Sequence, residues 1–194
     1  LPGVSNGAFT GGGFKSSPST GQLNSNAWAS TGMSTGTLGF GGTRTNGDYA
    51  RGTSPGNVST GGFYCFNAAA IGSRSLGIQP TASDWTPGTL TLCVNNTMGT
   101  ALTTLDVAYI LWVDNNGDRS SSFDLAYSVN NVAYTSIPTL DYASSTWSDE
   151  LGPLLNDRST VITGLNIPNN GYVYLRWSSN DLGGNGNSRD EFAL

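Results

Sequence analysis

The stretch from 104 to 129, TLDVAYILWVDNNGDRSSSFDLAYSV, constrains the fold more than any other part of the chain. Apolar side chains occupy the odd-numbered positions of a first run, Leu105 to Val113, and of a second run, Phe123 to Val129. Alternation with a period of two is typical of strands that are buried on one side. The stretch therefore predicts two long, half-buried β-strands joined by a short connection.

We predict that these two strands pair as a hairpin. A slip of one residue would turn every side chain to the opposite face, so the register must keep both apolar sets together. A three-residue loop, Asn115-Asn116-Gly117, meets this condition and puts Gly117 where a bulged turn requires positive φ. The expected cross-strand pairs are Tyr109–Phe123, Val107–Leu125 and Leu105–Tyr127.

Composition also favours strands over helices. Only 11% of the residues are charged, and the chain has one lysine and two glutamates among its helix-forming residues. Short apolar runs recur at spacings of roughly 8–14 residues between turn residues, a pattern that predicts a two-sheet antiparallel β-sandwich of the jelly-roll type. We expect residues 37–194 to form this domain. Residues 1–36, rich in Gly, Ser, Thr and Asn, are expected to form an irregular segment that packs on the domain or extends from it.

Charge and residue usage exclude several functions. The net charge of −5 argues against a nucleic-acid partner, and no apolar run approaches the roughly 20 residues of a membrane span. The absence of histidine removes the usual general base and the serine triad. The carboxylate pairs Asp149-Glu150 and Asp190-Glu191 are adjacent in sequence, so on a strand they point to opposite faces. We therefore predict that the chain is not an enzyme.

Four aromatic residues in loop-like stretches are candidate ligand-binding residues: Trp28, Trp85, Tyr142 and Trp147. An exposed indole in a loop can serve as a platform for a sugar ring, but a loop tryptophan can equally plug the edge of a sandwich. Trp112 and Trp177 lie in predicted strands and are expected in the core. The pattern alone leaves both interpretations of the loop aromatics open.

Two further features suggest binding or cross-linking. The loop from Asp114 to Asp118 is rich in oxygen ligands and is a candidate calcium site, although a capped turn in which Arg119 balances the two aspartates is the preferred explanation. Cys65 and Cys93 both lie in apparent strands. We predict a disulfide between them, because the composition is that of a secreted protein; two buried thiols are the alternative.

Three arginines, Arg119, Arg176 and Arg189, lie in or beside predicted strands. With Asp190 and Glu191 they are expected to form ion pairs at one end of the sandwich. The alternative is a clamp for an acidic sugar or another carboxylate, which the planar guanidinium group suits.

Several sequence blocks, in order, carry a resemblance to a known type of domain: LGFGGTRTNGDYARG, GGFYCF, LGIQPTASDWTPG, RSSSFDLAYSV and YLRW…SRDEFAL. Together they resemble a β-sandwich domain recurrent in large secreted proteins of Bacteroidota-like bacteria. The last block also resembles the final strand of jelly-roll carbohydrate-binding modules and of animal MAM-type domains. The resemblance implies a jelly-roll fold and a location outside the cell or at its surface.

Two functions follow as expectations. The first is a non-catalytic extracellular glycan-binding or adhesion module of a larger secreted bacterial protein, with a polysaccharide or cell-surface glycan as partner. The second is a structural subunit that binds copies of itself by β-strand addition, with an open edge accepting a strand from residues 3–13 of a neighbour.

Overall fold

The computed structural model describes residues 7–67, 72, 74–114, 117–146 and 154–194. In these ranges the chain forms two large, mainly antiparallel β-sheets packed face to face and a small two-stranded sheet, and the two large sheets confirm the predicted two-sheet β-sandwich. The strands are β1 Phe14–Lys15, β2 Leu23–Asn24, β3 Trp28–Thr31, β4 Thr53–Ser54, β5 Gly62–Phe66, β6 Ser75–Gln79, β7 Gly88–Asn95, β8 Leu105–Asp114, β9 Arg119–Ser128, β10 Thr135–Ser136, β11 Tyr142–Ala143, β12 Leu154–Ile162, β13 Tyr172–Ser179, β14 Asp181–Gly184 and β15 Glu191–Ala193. Two short 3-10 helices span Gly47–Tyr49 and Pro138–Leu140.

Strand order defines the two layers. The seven-stranded sheet runs β10-β9-β13-β7-β3, with β11 and β14 also pairing with β9. The six-stranded sheet runs β12-β8-β15-β6-β5-β4. The pairs β4–β5 and β1–β2 are parallel. Among the described helices none is long and apolar enough to cross a membrane.

The predicted hairpin of β8 and β9 is wrong. The two strands lie in opposite sheets, where Tyr109 pairs with Arg158 of β12 and Phe123 pairs with Tyr142 of β11. β8 ends at Asp114 and β9 begins at Arg119, while Asn115 and Asn116 of the predicted loop lie outside the described residues. Strands that face each other across a core need inward apolar faces just as hairpin partners do, so alternation cannot distinguish the two arrangements.

The alternation of apolar residues correctly predicted which face of β8 and which face of β9 is buried. Leu111 and Val113 of β8 and Phe123 and Leu125 of β9 are at most 1% exposed. These side chains meet in one core between the sheets. Burying each contributes about 1.5–3 kcal/mol relative to exposure.

The described part of the N-terminal segment belongs to the same core. Its strand β3 pairs with β7 at the edge of the seven-stranded sheet. Phe14 of β1 is fully buried, with its ring centroid 5.9 Å from that of Tyr49 and 5.3 Å from that of Phe63. The segment is therefore joined to the sandwich by both a sheet pairing and core packing.

A second, smaller apolar cluster covers the outer face of the six-stranded sheet. It contains Tyr64, Phe66, Trp112 and Ala193, and Val58 from the β4–β5 loop packs against it. The loop therefore covers the start of β15, including the fully buried Glu191.

Candidate functional site

The outer face of the seven-stranded sheet carries the most distinctive surface of the described structure. Because Val173, Leu175 and Trp177 of β13 are buried, the alternating residues Tyr174 and Arg176 point away from the core. In the sheet register Arg176 lies between Thr91 of β7 and Ala126 of β9. The neighbouring side chains are small, so the side chains of Arg176 and Tyr174 project above the sheet surface around them.

Arg176 is held in place by three neighbours. Its guanidinium carbon lies 3.6 Å from the ring centroid of Tyr134, a close cation–π contact. Its Nε donates to Thr91 Oγ1 at 3.1 Å, and its Nη2 lies 3.5 Å from Asn131 Oδ1. The Tyr134 hydroxyl donates to the same Asn131 oxygen at 2.5 Å. The cation is thus pre-organised on the sheet surface.

Tyr174 provides a second aromatic group on this face. Its ring centroid is 5.9 Å from that of Phe40, and the two planes are inclined at 56°. Burial raises the pKa of both Tyr174 and Tyr134; the neighbouring Cys93 adds to the shift at Tyr174, while Arg176 opposes it at Tyr134. Both phenols therefore stay neutral near pH 7, and each can donate a hydrogen bond.

A polar depression of about 340 Å³ lies beside these groups on the same face. It is lined by hydroxyls, among them Thr31 and Thr89, whose Oγ1 atoms are 2.8 Å apart, and by Asp124 and Asn180. Burial raises the pKa of Asp124, while a hydrogen bond from Ser122 opposes the shift. Arg176 and its neighbours Tyr134, Thr91 and Asn131 form the Arg176 group. We call this group, together with Tyr174, Phe40 and the depression, the platform.

The platform offers hydrogen-bond donors and acceptors beside exposed aromatic surface. Five strands cross it from β10 to β3, and four inter-strand spacings of about 4.8 Å give a width of roughly 19 Å. A surface of this width and composition suits an extended, amphipathic, hydroxyl-rich ligand.

The structure does not bring the predicted loop aromatics together. Trp85 is fully buried 5.7 Å from Phe123, and Trp28 is 7% exposed and 6.3 Å from Trp177, as measured between ring centroids. Both indoles belong to the core, so of the two interpretations that the sequence left open, an exposed sugar platform does not fit Trp28 and Trp85: apolar side chains in turn-rich segments are buried wherever the segment folds over the sandwich.

The other two loop aromatics have different outcomes. Tyr142 is half-buried, with its ring centroid 6.4 Å from that of Phe192 and the Arg158 guanidinium 5.3 Å from its own centroid. Its role in binding stays a prediction. Trp147 lies outside the described residues.

The predicted disulfide is wrong, because Cys65 and Cys93 are free thiols. Cys65 lies in β5 of the six-stranded sheet, where its Sγ is 3.2 Å from the carbonyl oxygen of Phe9. Cys93 lies in β7 of the seven-stranded sheet, beside Tyr174. Burial raises the pKa of both thiols. Sequence places both cysteines in strands but does not assign the strands to sheets.

The predicted calcium ligands face different partners. Asp114 pairs in register with Glu191 of β15, and Gly186 packs against the carboxylate of Asp118. The described residues contain no group of three or more His, Cys, Asp or Glu side chains that could hold a metal ion. Calcium at Asp114 and Asp118 stays a prediction.

Glu191, which the sequence analysis expected in an ion pair with arginine, is instead a buried ionisable group beneath the β4–β5 loop. Burial raises its pKa to about 7; the Asp114 carboxylate adds to the shift, whereas the backbone N–H groups of Val58 and Asn57, which donate to Glu191, oppose it. The N–H of Asn57 lies 3.0 Å from Oε2, and that of Val58 donates to Oε1. A protonated Glu191 can donate a hydrogen bond to Asp114, which removes the repulsion between the two carboxylates.

The arginines divide between two roles. Arg119 and Arg189 both pair with Asp181, and these contacts hold the pKa of Asp181 well below its usual range. Asp181, which the sequence analysis did not name, is thus a partner of both arginines. The alternation of β13 could have placed Arg176 on the outer face, but its partners Tyr134 and Asn131 come from a distant segment.

Neither a known protein family nor a curated protein sequence matches the chain. Among solved structures it is similar to a non-crystalline cellulose specific carbohydrate-binding module, CBM28, with 11% identity, a TM-score of 0.38, and coverage of 70% of this chain and 79% of that one. It is similar to CBM4 at 11% identity and a TM-score of 0.34, over 88% of this chain and 91% of that one. A third, TmCBM61 in complex with beta-1,4-galactotriose, has 10% identity and a TM-score of 0.33, and the match covers 62% of this chain and 66% of that one. These similarities are too weak to assign a function.

Proposed function

We propose that this chain is a non-catalytic glycan-binding module and that the platform is its binding surface. The observation that carries the proposal is the stack of Tyr134 on Arg176, at 3.6 Å, between Tyr174 and the polar depression. A fixed cation, an aromatic ring and a hydroxyl-lined floor on one open sheet face form a surface of the kind that binds extended polar polymers.

Sugar chemistry matches each part of this surface. A pyranose has apolar C–H faces, which pack on aromatic rings such as Tyr174, and hydroxyls around its edge. Arg176 supplies charge-assisted donors for those hydroxyls, and Asp124 and Asn180 supply acceptors in the depression. Because the groups are already fixed before binding, little ordering entropy is lost.

The proposal includes a location outside the cell, as part of a larger secreted bacterial protein. Its support is the low charge and the abundance of Gly, Asn, Ser and Thr. The two free thiols remove a disulfide as support for this location. Fractionation of the native host, followed by immunodetection of the chain, tests this part.

A glycan array followed by calorimetry with the best glycan tests the binding proposal. We expect Tyr174→Ala and Arg176→Ala each to weaken binding at least about tenfold, the loss of roughly 1.4 kcal/mol. Val161→Ala, which changes an exposed side chain on the opposite sheet, serves as the control and should leave affinity unchanged. The absence of any glycan ligand, or an equal loss in the control, would contradict the proposal.

Strand addition is the second candidate function, and one observation favours it. On its β15 side, β8 is paired only from Trp112 to Asp114, and no described strand covers Leu105–Ile110 there. An apolar hollow of about 360 Å³, lined in part by Tyr109 and Trp177, lies beside this free edge. A strand from a second copy would pair with the edge. Light scattering over a concentration series tests this: a monomer at every concentration contradicts it.

A further inference from the structure

Arg176 carries a positive charge that no described carboxylate neutralises. Arg51, Arg119 and Arg189 each form an ion pair with an aspartate. No carboxylate of the described residues lies within ion-pair distance of Arg176. Its guanidinium group is held instead by the ring of Tyr134, whose centroid is 3.6 Å from the guanidinium carbon. The platform therefore presents a fixed cation without a counter-ion from the described part of the chain.

The guanidinium group keeps three N–H donors for a ligand. An arginine side chain has five. In Arg176 the Nε–H is taken by Thr91, and one Nη2–H points to Asn131 Oδ1 at 3.5 Å. Both hydrogens of Nη1 and one of Nη2 have no partner among the described residues. No nitrogen of Arg176 is both buried and unpaired, so Nη1 is open to solvent and a ligand on the platform can reach it.

A carboxylate is the chemical group that matches these free donors best. Donors on neighbouring nitrogens of one planar group fit the two oxygens of a carboxylate, and such charge-assisted pairs are roughly twice as strong as neutral hydrogen bonds. The ring of Tyr134 covers one face of the guanidinium group, so an anion approaches Arg176 in the plane of that group, on its Nη1 side. A neutral hydroxyl in the same place would displace water but leave the positive charge unpaired.

Three different surfaces follow one another along β13. Tyr174, Arg176 and Ser178 alternate on the outer face, and Ser178 lines the polar depression. Asp124 pairs in register with Ser178 and lines the same depression, so its Cα lies roughly 8 Å from that of Arg176 by strand geometry. Asp124 would repel a second carboxylate over the depression. The order of aromatic ring, cation and acidic depression therefore suits a sugar chain with a carboxylate on one sugar and none on the next.

We propose that the platform binds an acidic glycan in which uronic acid alternates with a neutral sugar, and that Arg176 selects this glycan by pairing with the uronate carboxylate. The neutral sugar then lies over the depression, where its hydroxyls can donate to Asp124 and Asn180. This inference rests on the proposed function for the place of binding, and it adds the chemical class of the ligand.

Calorimetry of the full chain with matched acidic and neutral ligands tests the inference. The probes are octasaccharides of hyaluronan and of the rhamnogalacturonan I backbone, in which uronic acid alternates with a neutral sugar, and hexagalacturonate, which has a carboxylate on every sugar. Carboxyl-reduced forms of the two octasaccharides keep every ring and lose the charge. Because the net charge of −5 repels any anion at long range, the titrations are made at about 0.15 M salt, where the screening length is about 8 Å.

We expect at least one octasaccharide to bind tenfold or more tightly than its carboxyl-reduced form and than hexagalacturonate. Arg176→Gln should abolish this preference, because the affinity for the acidic ligand falls to that for the reduced one. Arg176→Lys keeps the charge without the planar fork and should give a smaller preference than wild type. Arg74→Gln, which removes the same charge at an exposed position just before β6, is the control and should keep the preference.

The outcomes separate this inference from the proposed function. Equal binding of the acidic and reduced octasaccharides, or a preference that survives in Arg176→Gln, would overturn the inference and leave the proposed function standing. Equal binding of hexagalacturonate would overturn the assignment of a neutral sugar to the depression. If Arg176→Gln fails to fold, the comparison of matched ligands on the wild-type chain decides. Binding of no glycan, neutral or acidic, would overturn both.

Discussion

At the scale of the residue, Glu191 shows how burial changes the behaviour of an ordinary side chain. It is fully buried beneath the β4–β5 loop, beside Asp114, and two backbone N–H groups donate to it. These two hydrogen bonds are too few to offset desolvation and a neighbouring carboxylate, so its pKa rises to about 7. The β4–β5 loop, through the backbone N–H groups of Asn57 and Val58, is therefore hydrogen-bonded to a side chain, Glu191, that titrates near neutral pH.

Stability should fall as pH rises through the range in which Glu191 ionises. The folded chain keeps the proton up to about pH 7, whereas the unfolded chain releases it near 4.5, so between these values the folded state binds more protons. Raising the pH from 4.5 to 8 should lower the free energy of unfolding by about 3 kcal/mol. Urea titrations at several pH values measure this slope.

Glu191→Gln mimics the protonated side chain and should flatten the slope. Asp157→Asn, which replaces an exposed carboxyl on β12, should keep it. Below about pH 4 a decline of the opposite sign should remain in all three proteins, because the unfolded chain then takes up a proton at Asp181, whereas Arg119 and Arg189 keep that carboxyl ionised in the folded chain. A wild-type stability that rises between pH 5 and 8 would show that Glu191 is not protonated at neutral pH.

Substitution of Tyr142 distinguishes binding at the platform from binding at the loop aromatics that the sequence predicted. Its ring packs toward Phe192 and lies under Arg158, away from the Arg176 group. We expect Tyr142→Phe, which keeps the ring, and Tyr142→Ala to leave glycan affinity within about twofold, although Tyr142→Ala lowers stability. Calorimetry with the glycan identified on the array measures both. A tenfold loss of glycan affinity in Tyr142→Ala, but not in Tyr142→Phe, would instead show that the Tyr142 ring contacts the ligand.

At the scale of the element, short pieces of the N-terminal segment are as integral as the long strands. The two-residue strand β1 buries Phe14 against Tyr49 and Phe63, and β3 extends the seven-stranded sheet. The two residues of β1 are too few for alternation, which needs four or more residues to be recognised, and the four residues of β3 contain only one large apolar side chain, Trp28.

Phe14→Ala tests whether this segment stabilises the fold. Removing a fully buried phenylalanine should cost about 3–5 kcal/mol of unfolding free energy, because the cavity left behind is only partly filled. Its neighbour Lys15 is exposed, and Lys15→Ala should change stability by less than about 0.5 kcal/mol. Chemical denaturation of both variants provides the comparison; equal stability would mean that the segment is a detachable arm.

At the scale of the whole molecule, the two sheets separate residues that look like partners in sequence. The consecutive strands β8 and β9 lie in opposite layers, and so do the strands of Cys65 and Cys93. The arrangement also exposes one outer face, the platform, whereas the other outer face is partly covered by the β4–β5 loop over Trp112.

Thiol chemistry checks this separation. Mass spectrometry of unreduced, alkylated, denatured protein should find two modified cysteines, because no bridge joins them. In the folded protein Cys93 should react faster than Cys65, since it is partly exposed on the outer face of its sheet while Cys65 is fully buried. A mass lower by two hydrogens without alkylation would establish the disulfide after all.

The sequence by itself determined the class of fold and the buried sides of β8, β9 and β13. The pleat of a strand forces successive side chains to opposite faces, so the alternation in β8, β9 and β13 records which face is buried, whatever the partner strand. The same rule explains why Arg176 and Tyr174 share a face that points away from the core.

Only the tertiary structure decided which strands are neighbours, which indoles are buried and which polar groups meet. Hydrogen bonding between strands is the same for every sequence, so pairing is selected by packing across the whole core rather than by any local pattern. Trp85 is consequently buried although it lies in a turn, Arg176 acquires Tyr134 from a distant loop, and Arg119 and Arg189 come to share Asp181.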